Sequence, residues 1–522
     1  MSYAEASYIV DEVGAKLKTA GTGIAPANMQ QFSVTSGDAK VTIKALEPAD
    51  TIIDGQLIAS VKGFYVVMKA DGYPVDENDG TVLADHEADG NVFTLEVNDL
   101  INDQPYYFCA FPYTDHGVVN RAAGLRVLAG SNANRATATP QAYVLYGFRR
   151  TKGDSNPATR LVATDMAVGM KTASMNTSTG KIDLGDWGDV WFVKDNKPCM
   201  MKYDGTIDYY LNPNDYTKKE DGTASDVANS NYGGNAMALF PTVWVYRYED
   251  ATYEYVKVCN VKLNDNYKAY AHERADGSIM EWFARSIYDG CNISNKIRSL
   301  SGQTPCNTVA GGTQLTYAQA NGSLWDSDTW SRVSLIWDLL RLMSLSDDVQ
   351  TAWGYGYYTG MSQASHLKAS GTGNTAGQFY GKRDNTVVKV FHLENFWGNI
   401  WKIMQGLLYN TNGKYAVKMK APYNTTGSGY AATAYGIGGT SGGYQSQHHT
   451  SEYGTLPYTV SGSDSTYVPD GCWWNTSQQN FARFGSAGGA GLLVGCALHL
   501  GSALSGSGWF YGVALTCEQP AA

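Results

Sequence analysis

Adjacent imidazoles are the first feature of this chain that suggests chemistry: His448 and His449 stand side by side in QSQHHTSEYG. Imidazole is a common zinc ligand, but neighbours on an extended chain point to opposite sides, and no further ligands stand at metal-site spacing. The pair is not read as a metal site. Three carboxylates, Asp204, Asp208 and Asp215, crowd into YDGTIDYYLNPNDY and offer the acid and base that glycoside hydrolysis needs. They also sit among Gly, Thr, Asn and Pro, where the commoner work of an aspartate is to close a turn. The loop DENDG, Asp76 to Gly80, has carboxylates of the kind calcium takes but not the full ligand order, and reads as a solvated turn. Eight cysteines, at 109, 199, 259, 291, 306, 472, 496 and 517, are scattered without a CxxC pair and are expected as free, buried thiols. HExxH and P-loop motifs are absent. The expectation is no catalytic group, no metal and no cofactor: a protein that binds rather than one that reacts.

Binding is better served by residues 482 to 515, ARFGSAGGAGLLVGCALHLGSALSGSGWFYGVAL. Ala497, Leu498, Leu500, Ala503, Ser505, Ser507 and Gly512 make a strand-and-turn scaffold there. His499, Gly501, Ser502, Gly506, Gly508 and Phe510 interrupt it with no folding logic of their own. Side chains alternate faces along an extended segment, so this interleaving separates a held face from a displayed one. The candidate ligand-binding residues are Trp473, Trp474, Leu492, His499, Gly501, Ser502, Gly506, Gly508, Trp509 and Phe510. Leu498 and Leu500 are expected to point into the core, and His499 between them to project from an exposed face. Phe510 beside Trp509, with glycines leaving room around it, would be the apolar centre of that face. A Gly-rich hairpin closing an ordinary domain would show a similar pattern.

The same stretch resembles the variable region of the target proteins of diversity-generating retroelements, found in phages and bacteria. Arg483, Gly485, Ser486, Ala497, Leu498, Leu500, Ala503, Ser505, Ser507 and Gly512 fall on constant positions of that family's pattern. Leu492, His499, Gly501, Ser502, Gly506, Gly508 and Phe510 fall on positions that adenine-directed mutagenesis replaces. The chain departs from the pattern at Phe484, Ala487, Val494, Gly495, Cys496 and Ala514. The resemblance implies a variable segment at about 473–512.

A second resemblance lies in ENFWGNIWKIMQG, residues 394 to 406, which is similar to the WGNVWEW signature of C-type lectin-like domains of the formylglycine-generating-enzyme type. Trp397, Gly398, Asn399 and Trp401 match, while Lys402 and Ile403 replace the acidic and aromatic residues that usually follow. This implies a twisted antiparallel sheet, two helices and long loops, with both tryptophans in the core. Enzymes of that type use a cysteine pair near the end of the fold. Cys496 and Cys517 lie in range, but their sequence neighbours supply no cationic or helix-terminal setting to activate a thiolate.

The elements that would position these residues fall into three regions. Residues 1–30 hold a short amphipathic helix over 3–18, with Tyr8, Ile9, Val13 and Leu17 on one stripe, then a breaker run. Residues 31–140 read as short alternating strands, FSVTSGDAKVTIKAL, KGFYVVMKADGYP, NVFTLEV and PYYFCAFPYTDHG. That segment resembles a fibronectin type III or similar immunoglobulin-like β-sandwich, with Tyr106, Tyr107 and Phe108 on its aromatic strand. Residues 141–522 form one Gly- and aromatic-rich region. Its β-type segments are VWFVKD, VWVYRYED and YEYVKVCNVKL, with DGTIDYYLNPNDY as a turn-rich connection. The clearest helix follows cap candidates Ser327 and Asp328, with Val333, Ile336, Trp337, Leu340 and Met343 at helical spacing. The fold class expected is thus multidomain and β-rich: an N-terminal helix, an Ig/fibronectin III-like sandwich, then an α+β C-type lectin-like domain with long loops.

Composition limits the partners. A net charge of -10 with no Lys/Arg-rich run argues against nucleic acid. No apolar run long enough for a membrane span or signal core occurs, so membrane insertion and export by such a signal are not expected. With 36 Tyr, 13 Trp and 57 Gly against 17% charged residues, the chain has much aromatic area to place in loops and contact faces. The resemblances imply a phage tail-fibre or tail-tip protein, assembled in the host cytoplasm and carried on the virion. Its partners would be a glycan or protein receptor on the bacterial surface and other tail proteins, and it would be a homotrimer. Alternatives are a retroelement-diversified bacterial surface protein, and an enzyme, either a capsule-glycan hydrolase or an oxidase of formylglycine-generating type.

Overall fold

The computed structural model describes residues 24–53, 56–121, 134–439, 442–485 and 495–521. The expected helix over 3–18 lies outside them. The chain is β-rich and divides into two compact units, Met1–Tyr143 and Val144–Ala522.

In the first unit, the strands Gln31–Gly37, Lys40–Leu46 and Phe93–Val97 form one antiparallel sheet. Thr81–Glu87, Val61–Lys69, Tyr106–Thr114 and Arg135–Ala138 form another. Alternation decides what each contributes. Val41, Ile43 and Ala45 are sealed while Lys40, Thr42 and Lys44 are not, and Phe64, Val66, Phe108 and Ala110 of the other sheet meet them in one core. Each large side chain so buried contributes about 1.5–3 kcal/mol. The two sheets therefore close as a sandwich.

The second unit is built on a long mixed sheet. From one edge it runs through Asp215–Lys219, Ile207–Asn212, Lys197–Lys202, Gly234–Pro241, Trp282–Ser286, Leu515–Glu518, Trp325–Thr329, Trp401–Tyr409, Asn480–Phe484, Leu498–Leu500, Val468–Trp474 and Gly442–Gln445. The C-terminal strand thus sits in its middle, and the segment with the candidate residues is flanked by strands from distant parts of the chain. A smaller antiparallel sheet holds Leu161–Asp165, Leu145–Thr151, Tyr253–Cys259 and Trp244–Glu249.

The helix Trp330–Ser344 is buried on all sides from Trp330 to Met343 and shares one core with Phe148, Val256 and Val258 of the small sheet and Met404, Phe484, Leu498 and Leu500 of the long one. A helix enclosed in this way must neutralise its charges internally. Asp338 meets Arg247 at 2.6 Å and Arg341 meets Asp347 at 3.0 Å. Leu345, in the left-handed conformation at φ 47°, ends it.

Three local expectations are corrected. Ser327 and Asp328 do not cap the helix: they belong to the strand Trp325–Thr329, and Asp328 neutralises the buried Arg285 at 2.6 Å instead. VWFVKD is not a strand, because Trp191–Lys194 form one helical turn. Phe192 and Val193 are both buried, and a strand would send adjacent side chains to opposite faces. DGTIDYYLNPNDY is more than a connection, since Ile207–Asn212 and Asp215–Lys219 pair as a hairpin around Pro213 and Asn214.

Candidate functional site

Five strands carry the C-terminal face, the last of them Tyr511–Val513. Leu498–Leu500 runs parallel to Val468–Trp474 and antiparallel to Asn480–Phe484, setting Trp473 opposite His499 and His499 opposite Arg483. The strand Asn480–Phe484 continues to Trp401–Tyr409, with Arg483 opposite Ile403, and Tyr511 pairs with Trp401. The period of two then divides the residues. Leu498 and Leu500 are 1% and 0% exposed in the main core, whereas His499 between them is half-buried on the opposite face.

On that face the rings form a cluster. Trp401 lies edge-on to Trp473 at 5.8 Å, His499 sits 5.5 Å from Trp401 and 5.8 Å from Tyr511, and Phe510 packs on Tyr511 at 4.4 Å. Trp401 and Tyr511 are sealed at the base, while Trp473, His499 and Phe510 remain partly open. Trp473 is seated on glycine. A β-carbon at Gly471 would stand 2.1 Å from its ring, and one at Gly442 2.5 Å from it, so both positions require glycine while the indole stays there.

The loop after this strand is held by its backbone. Arg483, fully buried, donates from Nη1 to the Ser502 carbonyl and from Nη2 to the Ala503 carbonyl, each at 3.2 Å. Asn475 Nδ2 donates to the Gly501 carbonyl at 2.6 Å. The backbone amides of Gly312 and Gly311, which begin the helix Gly311–Gln319, donate to the carbonyls of Leu504 and Gly506. The Ser502 hydroxyl meets the Tyr511 hydroxyl. Arg483 stacks over the Tyr511 ring at 4.1 Å, and burial pulls its guanidinium down to about 10. Burial, with the charge of Arg483 second, lowers His499 to about 4, so its ring is neutral near pH 7. Among the described residues the face offers apolar rings, a neutral imidazole and backbone groups.

Several candidate residues are placed differently from expectation. None of His499, Gly501, Ser502, Gly506, Gly508, Trp509 and Phe510 projects freely, and all seven are half-buried. Gly508 does not leave space for a ligand, because a β-carbon there would stand 2.8 Å from Cζ of Phe510; the ring itself occupies that room. Trp509 stands edge-on to Phe510 at 5.3 Å and packs on its other side against Tyr357, Met361 and Val387. Trp474, one residue from Trp473, takes the opposite face, packs in the main core and leaves the candidate face. Ser505 and Ser507, assigned to the scaffold, are the exposed residues of the loop, which is held by its carbonyls and by the side chains of Ser502 and Leu504 instead. Leu492 lies outside the described residues. Trp397 is fully buried with its indole donating to the Gly354 carbonyl at 3.0 Å, while Trp401, though sealed, forms the base of the candidate face.

The other chemical candidates do not assemble. His448 is buried against Gln445, and His449 bonds Glu249 at 3.0 Å and stacks on Tyr435, so the two rings share no partner. Asp204 and Asp215 each accept from a threonine two residues on, and Asp208 pairs with Lys202 at 2.9 Å. All three carboxyls are held below their usual range by these donors, the opposite of what a general acid needs. In the acidic loop, Asp79 pairs with Lys69 and Glu77 with Arg121. All eight cysteines are free and buried, and burial raises the thiols of Cys496 and Cys517. These two lie in different core clusters.

Sequence reasoning missed a second concave surface in this unit. A groove of about 590 Å³ is lined by Tyr246, Tyr248, Tyr435, Tyr453, Lys268 and Glu452, among others. Tyr246 and Tyr248 stack at 4.5 Å, and their alternation in VWVYRYE was the available signal.

No protein-family model matches this chain, and no curated protein matches it.

Proposed function

We propose that this chain is the receptor-binding protein of a phage tail fibre or tail tip, and that it adsorbs to a bacterial surface through the face around His499. The observation that carries the reading is the division at Leu498–Leu500. Two leucines lock the strand into the core while the residue between them is half-open beside Trp473, and the following loop is held largely at its main-chain carbonyls by Arg483 and Asn475. A backbone so held tolerates changes in its side chains, which a diversified contact surface requires. The half-open rings supply contact area at little cost in conformational entropy.

On this reading residues 141–522 are a C-type lectin-like receptor-binding region and 31–140 an Ig/fibronectin III-like spacer. The segment at 1–30 docks to other tail proteins, and the assembly is a homotrimer that strengthens weak single contacts by presenting several at once. The protein binds and does not catalyse. The depressed carboxyls of Asp204, Asp208 and Asp215 and the raised thiols support that part of the reading.

The test is adsorption of the labelled full-length protein to a panel of bacterial strains, with a variant combining His499→Asn, Gly501→Ser and Phe510→Tyr. The variant is expected to fold normally and to lose or change the strains it binds. Unchanged binding to the same strains would sink the assignment of this face. Release of oligosaccharide from host capsule would replace binding with hydrolysis, and a monomer by light scattering would remove the trimer.

A further inference from the structure

The first unit brings together three metal-ligating side chains that sequence spacing does not reveal. Glu47 directly follows the strand Lys40–Leu46 of one sheet, His86 lies in the strand Thr81–Glu87 of the other, and Asp89 sits in the turn after it. One ligand atom from each lies within 4.8 Å of the others, and His86 Nε2 is 3.8 Å from Asp89 Oδ1. A tetrahedral ion with bonds of about 2.0–2.2 Å places its ligands roughly 3.3–3.6 Å apart, so small inward movements of the side chains would close the set.

The bonding of the buried members makes this more than a cluster of charges. Glu47 is 6% exposed; its Oε1 accepts from the Gly90 amide at 2.6 Å, while its Oε2 is buried with no donor. His86 Nε2 is likewise buried without a hydrogen-bond partner. A buried carboxylate oxygen without a donor costs free energy, and its residue shares this cluster with a ring whose nitrogen is also unpartnered. The ring is also held in place, packed 5.1 Å from Phe64 and 4.4 Å from Phe93, one phenylalanine from each sheet. Asp89 is more exposed and is oriented by the Asn91 amide at 2.9 Å.

We propose that Glu47, His86 and Asp89 bind a divalent first-row cation of the zinc type, which clamps the two sheets of the first unit together. Imidazole among the ligands favours such an ion over calcium, which takes oxygen. Three protein ligands leave a fourth position for water. The proposal is independent of the receptor-binding reading.

The experiment is calorimetric titration of the full chain, stripped with chelator, with Zn²⁺ alone, followed by thermal melting. One equivalent is expected to bind and to raise the melting temperature. Glu47→Gln and Asp89→Asn should each weaken binding by about tenfold or more, and excess Ca²⁺ should not displace the ion. Asp89→Asn keeps the test decisive if the change at Glu47 disturbs folding, because Asp89 lies on an exposed turn. No binding at high micromolar Zn²⁺ would overturn the proposal. So would binding that Asp89→Asn leaves unchanged, since the ion would then lie elsewhere.

Discussion

Two buried arginines in the second unit are stabilised in opposite ways. Arg150 makes a two-pronged contact with Asp347, at 2.7 Å for each arm, and reaches Glu254 at 2.6 Å, with Arg341 and Arg160 also gathered around Asp347. Arg483 is equally buried but bonds only backbone carbonyls and a tyrosine face. The first arrangement ties side chains from distant strands, and its worth depends on every charge being present. The second ties main chain, so it fixes the path of the 501–506 loop without specifying the side chains carried there. The former locks a core, and the latter holds the course of a loop.

The largest expected effect comes from breaking the first arrangement. Asp347→Ala leaves Arg150 and its neighbours without their shared carboxylate and should cost about 3–5 kcal/mol, read by denaturant melting. Burial alone would raise the Asp347 carboxyl, but Arg150, with Arg160 and Arg341, reverses this and holds it well below the ordinary range. A carboxyl depressed in the folded state stabilises the fold above its unfolded value. That contribution should fade as pH falls below about 4, and in Asp347→Ala it should be missing. An unchanged melt would mean that the arginine cluster does not hold the core.

A smaller loss should follow from Arg483→Met. Removing the guanidinium leaves the carbonyls of Ser502 and Ala503 without their donors, at about 1–3 kcal/mol. The comparison predicts where this appears: amide exchange should quicken along 501–506 and stay slow in Trp330–Ser344. Uniformly faster exchange across both segments would make Arg483 a core residue like Arg150.

The smallest effect concerns His499. Its folded value, about 4, lies below the ordinary histidine value of about 6.5, so the unfolded chain binds the proton more readily between them. The contribution to stability is complete above about 6.5 and is lost as pH falls toward 4. His499→Phe should remove that part of the pH slope. A slope identical to that of the unsubstituted chain would mean that the ring is fully hydrated and the cluster with Trp401 and Tyr511 does not enclose it.

Much of this was legible where one local rule decides the outcome. Alternation separates Leu498 and Leu500 from His499, and it separates Val41, Ile43 and Ala45 from the lysines and threonine between them. Helical spacing of Val333, Ile336, Trp337, Leu340 and Met343 marks the buried helix. Local rules misled where a distant partner claims the residue. Asp328 has the form of a cap but is taken by Arg285, and Ser505 and Ser507 match a scaffold pattern but stand exposed. The role of Arg483 in holding the loop could not be read from its neighbours, because the carbonyls it bonds lie about twenty residues further on.

By itself the sequence determined the β-rich composition, the central helix and the opposite facing of His499 and its two leucine neighbours. These follow from side-chain period and turn chemistry, which act over a few residues. Tertiary structure alone decided which face becomes a half-open aromatic cluster, that Trp401 forms its base, that a tyrosine groove opens elsewhere, and that Glu47 meets His86 and Asp89. Each of these depends on strands brought together across tens or hundreds of residues, and pairing at that range is set by the packing of the whole core rather than by any neighbouring residue.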